Sequence, residues 1–204
     1  MSDRAPDDQD RPVDLDALTG SCVRLRELHE DDLPLLSAWW ADPRITPYQV
    51  AGPPHPRPAS VVAEMFRSRG ANEGMDCGFC IVTKDSGELV GQAGLFGIAP
   101  KDRCATLGIF LGPEHLGRGY GSDAVRTLVH YGFAQLNLHR VELNVFDFNV
   151  RAIAVYRKVG FVEEGRRRSA HYRSGAWHDE VKMAILRSEW KSLRSEWDVS
   201  RADS

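Results

Sequence analysis

The sequence is short of cysteine, of long apolar runs and of net charge, and each shortage excludes a class of protein. Only four of the 204 residues are cysteine, too few for a small disulfide-stapled scaffold. No stretch reaches the roughly 18 consecutive apolar residues of a membrane-spanning helix, and the N-terminus lacks the basic-then-apolar pattern of a signal peptide. We therefore expect a cytoplasmic protein that does not need a membrane.

Charge is nearly balanced outside one terminal segment. The formal net charge is −3, and residues 1–20 carry six Asp against two Arg, which leaves the rest near +1. No basic surface therefore predicts a nucleic-acid partner. We expect a disordered acidic tail over residues 1–19, one folded domain over residues 20–190, and the end of a C-terminal helix with a tail over residues 191–204.

The most informative stretch joins a strand, a glycine-rich loop and a helix. Residues 105–111 are apolar enough for a buried strand, and Gly112-Pro113 ends it. Glycines follow at 117, 119 and 121, and beyond Ser122 the apolar residues recur with a helical period. Such a loop directs free backbone N–H groups and the positive end of a helix dipole at one point, which suits a phosphate or pyrophosphate.

This stretch has three other possible interpretations: a dinucleotide-binding loop, a P-loop and a plain turn without a ligand. A dinucleotide fingerprint needs a third glycine where Ser122 stands, although Asp147 after the next strand could serve as its ribose-binding acid. A P-loop needs a lysine after the last glycine, and none follows Gly121. A plain turn without a ligand would not need the backbone entropy that three alternating glycines cost.

The rest of the sequence predicts a mixed α/β domain with a sheet of about seven strands and four to five helices. The predicted elements follow in chain order. Strands are expected at 22–28, 77–83, 89–98, 105–111, 140–146, 161–169 and 181–186, and helices at about 30–41, 60–69, 122–136, 149–159 and after 186.

Two motifs resemble the signatures of the GNAT acetyltransferase superfamily. Phe110 to Ala124 (FLGPEHLGRGYGSDA) is similar to its acyl-CoA loop, [QR]-x-x-G-x-[GA] before a helix, except that Leu116 stands where Gln or Arg is usual. Asn149, Tyr156 and Gly160-Phe161 resemble the second signature, and the likeness spans roughly residues 20–187. Further matches point to the RimJ/RimL branch, which acetylates protein N-termini: Arg24-Leu-Arg26, Trp39, Asp42-Pro43, Glu164 to Ala170, Gly175, Asp179 and Met183.

The resemblance implies a GNAT-like fold whose central parallel strands splay apart, with acetyl-CoA as cosubstrate between them. The acetyl group would lie between the strand ends near Leu111 and Phe146, and Asn149 would face the pantetheine amides. Two backbone segments would hold the rest of acetyl-CoA. The pantetheine arm would pair with Ile109, Phe110 and Leu111, and the pyrophosphate would bind the amides of Leu116, Gly117, Arg118, Gly119, Tyr120, Gly121 and Ser122.

Tyr156 and Glu142 are the candidate catalytic residues. A tyrosine near the sulfur could protonate the departing thiolate, because the two groups have similar basicity; alternatively, Tyr156 is a core residue with a hydrogen-bonded hydroxyl. Glu142 could take the proton of the amine, or it could point to solvent or to Arg140. His115, close to the loop, is expected to be an exposed histidine without a role.

Two further patterns favour ordinary structural explanations. Cys77-Gly-Phe-Cys80 has the spacing of a redox motif, but it begins a strand and not a helix, so two buried thiols are expected. Arg166-Arg-Arg168 is typical of a solvated strand face, with an acidic ligand as the alternative.

Taken together, these features predict an enzyme that transfers an acetyl group directly from acetyl-CoA to a primary amine, most simply a peptide or protein N-terminus or a small amine. The alternatives are a CoA-binding module without activity, a polyamine or antibiotic acetyltransferase, and a nucleotide-dependent oxidoreductase. Neither nucleic acid nor metal is expected, and the resemblance allows a homodimer.

Overall fold

A computed structural model describes residues 16–49, 52–53 and 55–193 as one mixed α/β fold. The seven predicted strands form a single sheet in the order β1-β2-β3-β4-β5-β7-β6, so the predicted fold class is confirmed. The strands are β1 Val23–Arg26, β2 Cys77–Thr83, β3 Leu89–Ala99, β4 Cys104–Leu111, β5 Arg140–Phe146, β6 Val162–Arg173 and β7 Ala176–Leu186. The helices are α1 Leu33–Ala41, α2 Thr46–Gln49, α3 Ala59–Gly70, α4 Tyr120–Ala134, α5 Val150–Val159 and α6 over residues 187–193.

The predicted tails fall largely outside these described residues. Residues 16–19, which the sequence analysis included in the acidic tail, form a turn in which Ala17 and Thr19 are buried. The four-residue helix α2 was not predicted, because its Thr-Pro-Tyr-Gln sequence has no helical period. None of the described helices is long and apolar enough to cross a membrane.

The central parallel strands β4 and β5 pair over a short length only. Their register joins Cys104 to Arg140, Ala105 to Val141 and Thr106 to Glu142. Beyond that point β4 continues to Leu111 beside β3, and β5 continues to Phe146 beside β7. The strands therefore diverge towards their carboxyl ends, as the resemblance implied, and their facing edges leave backbone groups without a strand partner.

The two faces of the sheet carry different helices. Helix α4 packs on one face, where Leu128, Val129 and Phe133 are fully buried against the strands, and α5 contributes Ile153 and Val159 to the same core. The other face carries a smaller core that joins α1 and α3 to the sheet: Leu36, Trp40, Phe66, Cys80 and Phe110.

Helix α4 is tied to the edge strand β1 by a buried carboxylate. Asp123, which is 6% exposed, accepts hydrogen bonds from the backbone N–H groups of Ser21, Cys22 and Val23 at 3.0, 2.7 and 3.0 Å. This contact holds the first turn of α4 at a fixed place on the sheet.

The last two strands are longer than predicted and form an open hairpin. Its turn is Ser174-Gly175, where both residues have positive φ angles (50° and 84°) as a type I′ turn requires. No residue of β6 is buried, and charged pairs such as Arg166 with Glu163 cover it. The apolar alternation that marks a strand is therefore missing from β6, which explains why the sequence predicted a shorter strand there.

Candidate active site

A cavity of about 990 Å³ runs through the gap between the splayed strands. Its lining comes from both faces of the sheet: Ser122, Val125, Ala152 and Tyr156 from the α4 and α5 side, and Trp40, Arg69, Gln92, Phe110 and Glu180 from the other. Its size falls in the range of small-molecule sites. One substrate can therefore enter from each face and meet the other in the gap.

The glycine-rich loop leads directly into the first turn of α4. Gly117 and Gly119 have φ angles of 79° and 87°, which residues with a Cβ rarely adopt. Gly119 is the N-cap, and no side chain caps the helix. A Cβ at either glycine would meet no atom within 4 Å, so the space above the loop is open. The loop therefore offers N–H groups and a positive helix end to a ligand, as predicted.

Most of the predicted acetyl-CoA residues line this cavity. Arg118 and Tyr120 are not in its lining, and the ring of Tyr120 packs towards His115 instead, with 6.5 Å between ring centroids. Only their backbone amides can serve the predicted role. The predicted residues that do line the cavity are Ile109, Phe110, Leu111, Leu116, Gly117, Gly119, Gly121, Ser122, Asn149 and Tyr156.

Tyr156 lies on α5 at the wall of the cavity. The residue is 8% exposed and packs against Phe161, with 5.8 Å between ring centroids. Burial raises the pKa of the Tyr156 hydroxyl to about 12, so the group stays protonated at neutral pH. Burial thus keeps the proton on the hydroxyl, and it also makes Tyr156 a weaker acid than the tyrosine of pKa near 10 on which the sequence-based match with a thiolate depended.

Asn149 has a structural task that the sequence analysis did not assign to it. Its side chain caps α5, accepting a hydrogen bond from the N–H of Ala152 at 3.3 Å. The residue also lines the cavity, so its side-chain amide can still donate to a ligand there.

Glu142 does not lie in the cavity lining. Its carboxylate pairs with Arg140 at 3.1 Å and with Lys182 at 3.2 Å. Glu142 shares a strand face with Asn144 and Phe146, but four residues of β5 put it about 13 Å along the strand from Phe146. Glu142 therefore contacts Arg140, as one of the two sequence-based alternatives predicted, and it lies outside the cavity lining.

Glu180 is a carboxylate that the sequence analysis missed. It lies opposite Phe146 in the β5–β7 register, lines the cavity, and has a side chain that is only 13% exposed. Its carboxylate is 3.0 Å from His171 Nε2 and accepts a hydrogen bond from Arg167 at 2.7 Å. Burial raises the pKa of Glu180, but these two hydrogen bonds outweigh burial and leave that pKa below its usual value.

Two donors were also missed on the face that carries α1 and α3. Arg69, near the end of α3, and Gln92, in the middle of β3, both line the cavity. Gln92 is 4% exposed, and its Nε2 has no hydrogen-bond partner among the described residues. A glutamine inside the apolar run Leu89 to Leu95 was the available sequence signal.

Of the remaining sequence predictions, the one for His115 is wrong and the one for Cys77 and Cys80 is confirmed. His115 is buried and not exposed, because the ring of Trp39 packs edge-on against it with 5.4 Å between centroids. Cys77 and Cys80 are buried free thiols, as predicted, and burial raises their pKa values to about 11 and about 12. These thiols are not reactive nucleophiles.

Comparison with known proteins identifies the family. A family model described as an acetyltransferase (GNAT) domain matches residues 23–162. The chain belongs to the GNAT acetyltransferases. It is 30% identical to the uncharacterised N-acetyltransferase p20 of Bacillus licheniformis over 169 residues, 82% of this chain and 94% of that protein. As a GNAT enzyme it is an acetyl-CoA-dependent N-acetyltransferase, and the open glycine loop and the unpaired strand edges fit that cosubstrate.

Two further relatives have more specific names. The putative ribosomal N-acetyltransferase YdaF of Bacillus subtilis is 34% identical over 105 residues, 52% of this chain and 57% of that protein. The crystal structure of spermidine N-acetyltransferase from Vibrio cholerae in complex with CoA and spermine superimposes with a TM-score of 0.74 at 27% identity, covering 83% of this chain and 98% of that one. This GNAT enzyme is thus similar to proteins named for two different acceptors.

Proposed function

We propose that this GNAT enzyme acetylates the primary amine of a peptide or protein N-terminus, in the manner of the RimJ/RimL branch. The observation that carries the proposal is the cavity through the splayed strands, which has Tyr156 on one side and Glu180 on the other. The branch motifs in the sequence and the similarity to YdaF support a peptide acceptor.

The proposed reaction needs no acyl-enzyme. The amine nitrogen attacks the thioester carbonyl carbon, the carbon–nitrogen bond forms, and the carbon–sulfur bond breaks. The proton that the amine loses goes to Glu180, directly or through water, and the CoA thiolate takes a proton from the Tyr156 hydroxyl. Before the next turnover Glu180 releases its proton to solvent, and Tyr156 takes one up from solvent. Glu180 replaces Glu142 as the proposed base, because both carboxylates are ion-paired but only Glu180 lines the cavity.

Placement of the two reactants contributes to the rate as well. The free edges of β4 and β5 and the amides of the glycine loop hold acetyl-CoA by backbone hydrogen bonds. Residues that approach from the other face hold the acceptor. Fixing two reactants in an attack geometry can contribute more than either proton transfer.

Two other features belong to the same proposal. The resemblance supports a cytoplasmic enzyme that forms homodimers, which light scattering of the purified protein would test. A polyamine or another small amine is the second candidate acceptor, since the similar Vibrio cholerae enzyme is named a spermidine N-acetyltransferase.

The direct test is acetyl-CoA-dependent thiol release with a panel of acceptors. Short peptides with free N-termini, the same peptides with acetylated N-termini, spermidine and an aminoglycoside are compared, and products are identified by mass spectrometry. Acetylation of free peptide N-termini, absent from the blocked peptides, supports the proposal. Turnover of spermidine or the aminoglycoside alone would replace the peptide acceptor with a small amine. CoA binding without any turnover would support a non-catalytic CoA-binding module.

A further inference from the structure

Three glycines in register make room on the sheet for the end of α3 and for the ring of Phe96. Gly78, Gly94 and Gly108 are opposite one another across β2, β3 and β4. A Cβ at Gly78 would collide with the carbonyl oxygen of Arg69, and one at Gly94 would collide with the Phe96 ring. The absence of a side chain at Gly78 therefore lets the last turn of α3 rest on β2, and Gly94 and Gly108 leave room for the Phe96 ring, which lies against the Arg69 guanidinium.

The guanidinium group of Arg69 lies close to two aromatic rings. Its guanidinium carbon is 5.4 Å from the centre of the Trp40 ring and 5.7 Å from that of Phe96. No carboxylate within the described part of the chain pairs with it, and burial alone lowers its pKa. Arginine nevertheless remains charged in proteins. The group has a positive charge and free N–H donors at the cavity wall.

Gln92 adds a buried polar group to the same wall of the cavity. Its neighbours across the sheet are Cys80 and Phe110, which belong to the core beneath α1 and α3. A buried amide without a partner is costly, and it becomes satisfied if a ligand supplies an oxygen. Arg69 and Gln92 both line the cavity on the face that carries α1 and α3, and we call this pair of residues the donor corner.

The charges of the whole cavity do not match a polycation. Four cations line it, and Glu180 is the only carboxylate among the described lining residues. Arg151 and Lys158 lie on α5, where cations suit the phosphates of CoA. Arg44 is neutralised by Asp42 and Glu114, and Glu180 by Arg167. Arg69 is left as the uncompensated charge on the acceptor face.

We infer that the acceptor carries a carboxylate close to its reactive amine, and that Arg69 and Gln92 bind this carboxylate. The inference rests on the proposed N-acetyltransferase reaction and names its substrate class. An acidic side chain near a peptide N-terminus and the carboxylate of a small amino acid share this chemistry. Arginine binds carboxylates through paired N–H donors, and an unpaired cation in a partly desolvated corner rejects a second cation.

Isosteric acceptor pairs test the inference. The C-terminally amidated dipeptides Ala-Glu and Ala-Gln form one pair, 4-aminobutanoate and 4-aminobutanamide form the other, and spermidine is the polycation. We expect kcat/KM to be about ten- to a hundredfold higher for the acid of at least one pair. The pair that shows the preference distinguishes a peptide from a small amino acid. Equal values within both pairs, or a preference for spermidine, would overturn the inference.

Substitutions of Arg69 test whether the donor corner causes the preference for the acid over the amide. Arg69→Met keeps an apolar stem against Trp40 and Phe96 and should reduce the acid-to-amide ratio to near one, and Arg69→Lys should restore part of it. The matched control is Arg67→Met, because Arg67 lies on the same helix, pairs with Glu30 and Glu64, and is outside the cavity lining. An unchanged ratio in Arg69→Met would contradict the assignment.

A binding measurement separates this inference from the proposed activity. Calorimetry with the two dipeptides in the presence of CoA reports acid preference without turnover. If no acceptor is acetylated but Ala-Glu binds about tenfold more tightly than Ala-Gln, the activity fails and the donor corner stands. If both are acetylated equally and bind equally, the activity stands and the donor corner fails. CoA-induced thermal shifts verify that each variant is folded.

Discussion

Thr106 and Glu142 are the last residues that pair across the parallel strands of the sheet. Up to this pair the strands share backbone hydrogen bonds, and beyond it each strand continues with a free edge. The pair therefore marks the base of the gap, and Tyr156, Glu180 and the glycine loop line the cavity that runs through it. Glu142 lies at this base and outside the cavity lining.

Replacing Tyr156 with Phe tests the proton donor. We expect kcat to fall about 10²- to 10⁴-fold, with little change in the affinity for acetyl-CoA, because the ring still packs against Phe161. Single-turnover kinetics and CoA titration measure the two effects. Full kcat in the variant would make Tyr156 a core residue.

The pH dependence gives a second readout for Tyr156. Burial favours the neutral hydroxyl and raises its pKa to about 12, so the donor stays protonated until the pH rises towards that value. We expect no decline in kcat from loss of this proton up to about pH 10, where an unshifted tyrosine would be half ionised. A decline centred near pH 10 that disappears in Tyr156→Phe would show that water reaches the hydroxyl.

Substitutions of Glu180 and Glu142 by Gln compare the two candidate bases. We expect Glu180→Gln to reduce kcat/KM about 100-fold at neutral pH, and Glu142→Gln to stay within about twofold because it loses only partly exposed ion pairs. The lowered pKa of Glu180 keeps it ionised well below neutral pH, so its protonation should not limit the rate there. A larger loss in Glu142→Gln than in Glu180→Gln would reverse the assignment.

Periodicity and glycine spacing predicted the elements that line one side of the cavity. Helix α5 was predicted from its apolar face and the Gly160-Phe161 that follows, and Gly160 does end it with a φ of 109°. The strand, loop and helix around Gly117 and Gly119 were equally clear. These signals are local, because each depends on neighbours a few residues apart in the chain.

The acceptor face was not predicted, because its residues come together only through the sheet order. Arg69, Gln92 and Glu180 lie in three elements far apart in sequence, and no spacing rule links them. The sequence placed Glu142 on a strand beside the expected acetyl site, but a strand pattern contains no information on where two strands part. His115 was misjudged for the same reason, since Trp39, which buries it, belongs to α1.

Substitution of Gly119 tests whether the amides of the glycine-rich loop bind acetyl-CoA. With a φ of 87° and open space around it, Gly119→Ala adds backbone strain of about 1–2 kcal/mol without a collision and should raise the KM for acetyl-CoA about tenfold. Gly87→Ala is the matched control, because Gly87 has a φ of 72°, equally open space and a place in the turn between β2 and β3. A similar KM in both variants would show that the loop amides do not hold the cosubstrate.

The last prediction concerns stability and Asp123. Asp123→Ala leaves the three N–H groups of Ser21, Cys22 and Val23 without their acceptor, so we expect the free energy of unfolding to fall by about 3–5 kcal/mol. Urea denaturation measures the change, and the exposed Asp102→Ala should stay within about 0.5 kcal/mol of the parent. Equal stabilities of the two variants would mean that water replaces the carboxylate at no cost. A large loss confined to Asp123→Ala would mean that the edge strand and the first turn of α4 are stabilised as one unit.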